Sequence, residues 1–185
     1  MLQVYACISF IRKVKENKMG LDMYLESHRK DTYELNERAI EFMSDILNFR
    51  HRNSEETFVD DPEWSKTNDS VKGLIKHESE QFAYCRKANQ IRGWFADLLG
   101  EDANGVCKGK VSKENIEDLL DTCKQVLADH SLAEKLLPVT EGFFFGSYEY
   151  DEYYFEGIKE TIEICEKILK EFDFDTNYLI YDEWW

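Results

Sequence analysis

Helical spacing of apolar side chains is the sequence feature that most constrains how this chain can fold. Between residues 149 and 172, apolar groups recur every three or four positions and glutamates fill the positions between them. This repeat matches an α-helix that buries one face. The same spacing predicts helices over 33–50, 80–99 and 112–129, with a short turn of helix over 131–136. We expect the helix over 149–172 to be the longest.

Short apolar segments separate these helices and predict a few strands. Residues 22–28 alternate imperfectly, 178–181 form an apolar run near the end, and 71–77 are typical of a short strand. Residues 142–146 place three phenylalanines between two glycines, which fits a buried strand or a tight crossing under a helix. Residues 51–70 are polar and predict a surface loop.

These elements together predict an α+β fold. About four helices would pack on a small mixed or antiparallel sheet. The 185 residues suffice for a single domain with a real core and are too few for two ordinary domains. The strand order does not follow from the sequence.

The charge of the chain is strongly acidic and unevenly distributed. Thirty-eight acids outnumber 23 lysines and arginines, giving a net charge of −15. A surface this acidic repels the phosphate backbone, so we expect no direct nucleic-acid binding. Residues 141–185 contain 13 acids against three lysines. Such a density is typical of a solvated helix face, and the functional alternative is a surface that docks on a basic partner.

The first 18 residues differ from the rest and predict an N-terminal extension to a domain over 19–185. They carry four basic residues and one acid. Their basic residues follow the apolar run, so they lack the order of a secretory signal, and the run is too short to span a membrane. We therefore predict a cytoplasmic protein without membrane contact.

Motifs for metal binding or catalysis are missing from the sequence. Its five cysteines include no C-x-x-C pair, and no two of its four histidines are four residues apart. No phosphate-binding glycine loop or nucleophile motif occurs either. We predict no catalytic residue, no metal and no cofactor.

An acid-free stretch over residues 81–96 is the first candidate binding site. It contains three cations, and on a helix Arg86, Asn89, Gln90 and Gly93 would share one stripe. Arginine and amide side chains are suited to holding a phosphate or carboxylate, with Arg92 close by. The structural alternative is that these cations pair with the acidic helix over 149–166.

An aromatic run over residues 143–154 is the second candidate. Tyr150 and Tyr154 fit the inner stripe of the last helix, which leaves Tyr148 and Tyr153 free to contact a ligand or partner. The predicted ligand-binding residues are therefore Arg86, Asn89, Gln90, Arg92, Tyr148 and Tyr153.

Three sequence blocks resemble a family of small proteins from bacteriophages and prophages. They are MGLDMYL at 19–25, YCRKANQIRGWF at 84–95, and GFFFGS at 142–147 followed by Tyr150-Asp151. The resemblance spans roughly residues 19–172 and implies residue 19 as the usual start. Family members often carry the label phosphoglycerate kinase, but this chain is too short for a two-domain kinase and lacks its glycine loop. Cys85 and Arg92 stand where the family has an aromatic residue and histidine.

The leading functional hypothesis is a phage accessory protein that binds a small anionic ligand or a host protein without catalysis. Phage origin suggests counter-defence in the host bacterial cytoplasm, and a homo-oligomer is compatible with the sequence. The alternatives are an acidic nucleic-acid mimic and a nucleotide-acting enzyme. A ligand binder should join Arg86, Asn89 and Tyr148 in one pocket, whereas a mimic should show an unbroken acidic face. An enzyme should place a carboxylate at that pocket.

Overall fold

Four antiparallel strands form the sheet of the computed structural model, which describes residues 20–52, 79–142 and 145–185. The strands are β1 (Asp22–Arg29), β2 (Ser79–Arg86), β3 (Gly109–Val111) and β4 (Asn177–Trp184). Their spatial order is β2-β1-β4-β3, with β1 and β4 at the centre. The predicted α+β class is confirmed, and the sheet is the antiparallel one of the two kinds expected.

Five α-helices accompany the sheet in the described part of the chain. They are α1 (Lys30–Arg52), α2 (Asn89–Leu99), α3 (Lys113–Ala128), α4 (Ala133–Leu136) and α5 (Glu152–Glu171). The prediction that the last helix is the longest is wrong, because α1 has 23 residues and α5 has 20. Ser112 caps α3: its hydroxyl oxygen accepts a hydrogen bond from the Asn115 backbone amide, and its own backbone amide donates to the Asn115 side-chain oxygen.

The core lies on one face of the sheet. Met23 and Leu25 of β1, with Leu179 and Tyr181 of β4, belong to the same buried apolar cluster as the inner stripes of α3 and α5. Side chains two residues apart on a strand point to the same face of the sheet, so these four residues show that one face of the sheet packs against the helices. The Phe95 ring of α2 stacks on Tyr181 at 4.0 Å between centroids and ties that helix to the sheet.

The predicted helix over residues 80–99 is wrong in its first half. Residues 79–86 form strand β2, which pairs along β1 with Tyr84 opposite Tyr24. Their rings lie 5.3 Å apart between centroids, a cross-strand contact that a helix would not make. The three-residue spacing of Phe82 and Cys85 imitates a helical repeat, and pairing with β1 overrides it.

Several smaller expectations have definite outcomes. Strand β3 was not predicted, and β4 is longer than expected because it includes Trp184. Phe145 is buried, and it and the two glycines, which are the described residues of the 142–146 segment, do not belong to a strand. The predicted strand over 71–77, the extension over 1–18 and nearly all of the predicted 51–70 loop lie outside the described residues.

Candidate functional site

A cleft of about 350 Å³ lies between the end of β2, the start of α2 and one face of α5. It is lined by four of the six predicted ligand-binding residues: Arg86, Asn89, Gln90 and Tyr153. Arg92 and Tyr148 do not line it, so the expected pocket joining Arg86, Asn89 and Tyr148 forms only in part. The cleft is the candidate site, and its construction differs from the predicted one.

The predicted helical stripe from Arg86 to Gly93 is wrong, because a turn interrupts it. Arg86 is the last residue of β2, and α2 begins only at Asn89. Between them, Lys87 has φ +58°, in the left-handed region. A residue with a side chain adopts this conformation at a cost of roughly 1–2 kcal/mol. The turn places Arg86 and Lys87 beside the start of α2 instead of along its face.

Gly93 serves internal packing rather than a ligand. A Cβ atom at this position would lie 2.3 Å from the Thr140 hydroxyl oxygen, well inside contact distance. The missing side chain therefore lets the segment around residue 140 lie directly against α2.

Asn89 holds the loop after residue 144 onto the start of α2. Its side-chain amide nitrogen donates to the carbonyl oxygens of Phe145, at 3.3 Å, and Ser147, at 2.7 Å. Its side-chain oxygen accepts from the Thr140 amide at 3.2 Å. Asn89 is 2% exposed. Its polar atoms are thus occupied inside the protein, which makes it a positioning residue for the cleft.

Gln90 joins α2 to α5 in a similar way. This residue is buried, and its side-chain nitrogen donates to the Tyr154 carbonyl oxygen at 3.2 Å. A Cβ atom at Gly157 would lie 3.2 Å from that nitrogen, so the glycine permits the close approach of the two helices. Gln90 therefore joins the two helices at their contact and is used inside the protein.

Arg86 lies at the sheet side of the cleft and has a carboxylate partner. Its Nε atom is 3.4 Å from a carboxylate oxygen of Asp22, which also accepts a hydrogen bond from the Tyr84 hydroxyl. Burial and this hydrogen bond raise the pKa of Tyr84 to about 12. Arg86 therefore pairs β2 with β1 through Asp22, so a substitution there would affect the stability of the sheet as well as the cleft.

Arg92, predicted to contact a ligand, lies in the core instead. It is 4% exposed, and its guanidinium contacts Glu101, Glu183 at 3.1 Å and the Gly105 carbonyl oxygen at 2.7 Å. The alternative that the cations pair with the acidic helix over 149–166 is wrong for Arg92, whose partners Glu101 and Glu183 lie outside that segment.

Glu183 completes this buried network from the β4 side. Besides Arg92, it accepts hydrogen bonds from the Cys107 amide at 2.7 Å and the Tyr181 hydroxyl at 2.8 Å. Burial and the Glu183 charge raise the pKa of Tyr181, so its hydroxyl stays protonated and donates. Phe145 lies over the Arg92 guanidinium at 5.2 Å. These contacts make the network a structural one.

The tyrosines near the cleft differ from the prediction in which of them are buried and which are exposed. Tyr154 is buried as predicted, whereas Tyr150, predicted to be in the core, is 37% exposed. The Tyr148 hydroxyl exchanges hydrogen bonds with the Gly142 backbone and thereby braces the loop. Only Tyr153, which is 79% exposed, contributes a free ring to the cleft.

Carboxylates form the opposite wall, which the sequence analysis did not assign to the site. The acids that line the cleft are Glu149, Asp151, Glu156 and Glu160. Asp151 caps α5 by accepting from the Tyr154 amide at 3.0 Å. Glu156 and Glu160 are exposed one turn apart on α5. The shared face of Tyr153, Glu156 and Glu160 is visible as a spacing of three and four residues, but the sequence does not show which element faces it.

Unpaired charges of both signs thus face each other across the cleft. Within the described residues, neither Lys87 nor Glu156 nor Glu160 forms an ion pair, although all three line the same cavity. Lys87 is one of the three cations of the acid-free stretch over 81–96 and was not among the predicted ligand-binding residues. Its side chain is exposed, so its ammonium group is available to a ligand.

The features expected of the two alternative functions are present only in part. Carboxylates do line the cleft, as an enzyme would require, but its described lining includes no histidine or cysteine. The acidic face of α5 is interrupted by three lysines, and Glu166 pairs with Lys124 at 2.8 Å. The unbroken acidic surface expected of a nucleic-acid mimic is therefore missing from α5.

Comparisons with known proteins assign no family to the chain. No family model matches, and neither the curated proteins nor the solved structures contain a significant match. In the part of the chain that the structure describes, no cluster of histidine, cysteine or acidic side chains is arranged to hold a metal ion. None of the described helices is long and apolar enough to cross a membrane.

Proposed function

We propose that this chain is a binding protein whose cleft holds a small ligand by an anionic group, a phosphate or a carboxylate. The observation that carries this proposal is the position of Lys87, an exposed cation next to the start of α2 that forms no ion pair with any described residue. A cation and a helix start that face one cavity are a suitable seat for such a group.

The start of α2 supports the same side of the cleft. Ala88 precedes the helix and makes no side-chain cap, and the first turn contains no acid. The first amide groups of any α-helix have no acceptor within the helix, and they carry the positive end of its dipole. Ala88, Asn89 and Gln90 all line the cleft, so this end of α2 faces the proposed anion seat.

The backbone of Lys87 is a second supporting observation. Glycine adopts a positive φ without cost, and a turn that served folding alone would favour it. Strained residues of this kind are concentrated at ligand sites, where the side chain has a purpose that offsets the strain. We therefore assign Lys87 a binding role.

Substitution of Lys87 by glycine separates binding from folding. Lys87→Gly should raise the free energy of unfolding by about 1 kcal/mol, because it relieves the positive φ. The same variant should bind inorganic phosphate about tenfold more weakly, the value of one charge-assisted hydrogen bond. Chemical denaturation measures the first effect, and a phosphate titration followed by amide chemical shifts measures the second.

Lys135→Ala is the matched control, because it removes the same charge from an exposed position on α4 away from the cleft. It should leave phosphate binding unchanged. Equal weakening in both variants, or no phosphate binding by the unmodified protein, would contradict an anion seat at Lys87.

We further propose that the protein is a phage accessory protein that acts in the cytoplasm of a host bacterium, with counter-defence as its role. The support is the resemblance of the blocks at 19–25, 84–95 and 142–147 to small phage and prophage proteins. Native mass spectrometry of the protein purified from infected cells tests this proposal. We expect a bound small molecule, whereas a stoichiometric host protein with an empty cleft would favour the mimic alternative.

A further inference from the structure

We infer that the ligand of the cleft is a zwitterion: its anionic group faces Lys87, and its primary ammonium group faces Glu156 and Glu160. This inference rests on the proposed function and adds the chemical class of the ligand. It concerns the acidic wall of the cleft on α5, which has no role in the binding of the anionic group.

The geometry of α5 places its acids in the cleft. Tyr153, Glu156, Gly157 and Glu160 follow the spacing of three, four and seven residues that defines one helix face, and all four line the cavity. Gly157 touches the start of α2 at Gln90. Its neighbours on that face, Glu156 and Glu160, are therefore held beside the anion seat by the packing of α5 against α2.

The charges of the cleft favour a ligand of both signs. Lys87 and Arg86 are its two cations, and four carboxylates outnumber them. At an ionic strength of about 0.01 M the Debye length is about 30 Å, so salt screens the charges of one small cavity only weakly from each other. Lys87 attracts a simple anion while the acidic wall repels it, and the reverse holds for a simple cation, so each should bind more weakly than a zwitterion. A zwitterion placed across the cleft meets an opposite charge at each end.

Tyr153 offers an additional contact for the ammonium end. Its ring is 79% exposed and lies one turn from Glu156 on the same face of α5. An ammonium group close to an aromatic face is attracted by the ring electrons. The combination of one tyrosine and two glutamates distinguishes this wall from a merely solvated acidic surface.

The test compares the affinities of four defined probes: inorganic phosphate, ethanolamine, phosphoethanolamine and β-alanine. Titrations of the full chain at low ionic strength should show phosphoethanolamine binding at least tenfold more tightly than phosphate or ethanolamine. β-Alanine carries a carboxylate in place of the phosphate. Its affinity relative to phosphoethanolamine identifies which anionic group the seat prefers, and tight binding of either zwitterion supports the inference.

Two double variants with equal loss of charge localise the effect. Glu156→Gln with Glu160→Gln should abolish the preference for phosphoethanolamine over phosphate. Glu152→Gln with Glu163→Gln removes two exposed acids of α5 that do not line the cleft, and it should retain the preference. If phosphate binds the unmodified protein as tightly as both zwitterions, or if both double variants behave alike, the inference is overturned while the anion seat stands. If no probe binds, both proposals fail.

Discussion

Replacement of Arg92 by methionine is expected to lower the free energy of unfolding by about 3–5 kcal/mol. The guanidinium is 4% exposed and neutralises Glu183, whose side chain is fully buried. Methionine fills much of the volume but leaves the Glu183 carboxylate without its cation. Urea denaturation of the purified variant measures the loss.

Lys108→Met is the matched control for this prediction. Lys108 pairs with Asp182, the residue directly before Glu183, at 2.9 Å, but both side chains of this pair are partly exposed. An exposed ion pair contributes about 0–1 kcal/mol, so this variant should be nearly as stable as the parent. Similar losses in the two variants would show that burial of Arg92 does not determine its contribution.

A second substitution checks the assigned cause. If the loss in Arg92→Met arises from the uncompensated Glu183 charge, adding Glu183→Gln should recover part of it, because the amide is neutral. A double variant that is less stable than Arg92→Met alone would contradict this account of the network.

Replacement of Asn89 by alanine is expected to cost about 2–4 kcal/mol, because the Asn89 side chain is buried and three backbone groups lose their partner. These groups are the carbonyls of Phe145 and Ser147 and the amide of Thr140. Hydrogen exchange should accelerate in residues 140–147, and urea denaturation gives the energetic cost. Asn104→Ala is the control, since Asn104 is exposed and bonds only within its own turn. A loss below 1 kcal/mol for Asn89→Ala would show that the loop does not depend on it.

The sequence predicted those elements in which local and tertiary signals agree. Ser112 caps α3 with atoms of its own first turn, and the stripe of α5 is buried as its spacing requires. The helix predicted over residues 80–99 is wrong in its first half, because the helical spacing of those residues is a local pattern only. Pairing with β1, more than 50 residues earlier in the chain, provides hydrogen bonds and a tyrosine contact that no local pattern contains.

The candidate site was predicted at the level of its segments rather than its atoms. Arg86 and Tyr153 line the same cavity, whereas Asn89 and Gln90 make hydrogen bonds inside the protein and Arg92 is in the core. Whether a polar side chain is used internally depends on the carbonyl that lies opposite it, and that partner belongs to a distant segment. Glu156 and Glu160 were missed for the same reason, because only packing of α5 against α2 turns them toward Lys87.

A crystal structure of the protein with phosphoethanolamine tests the central claim most directly, because it locates both ends of one ligand. We expect the phosphate beside Lys87 and the start of α2, and the ammonium group beside Glu156 and Glu160. A ligand bound outside this cleft, or one whose phosphate lies against the acidic wall, would contradict the account.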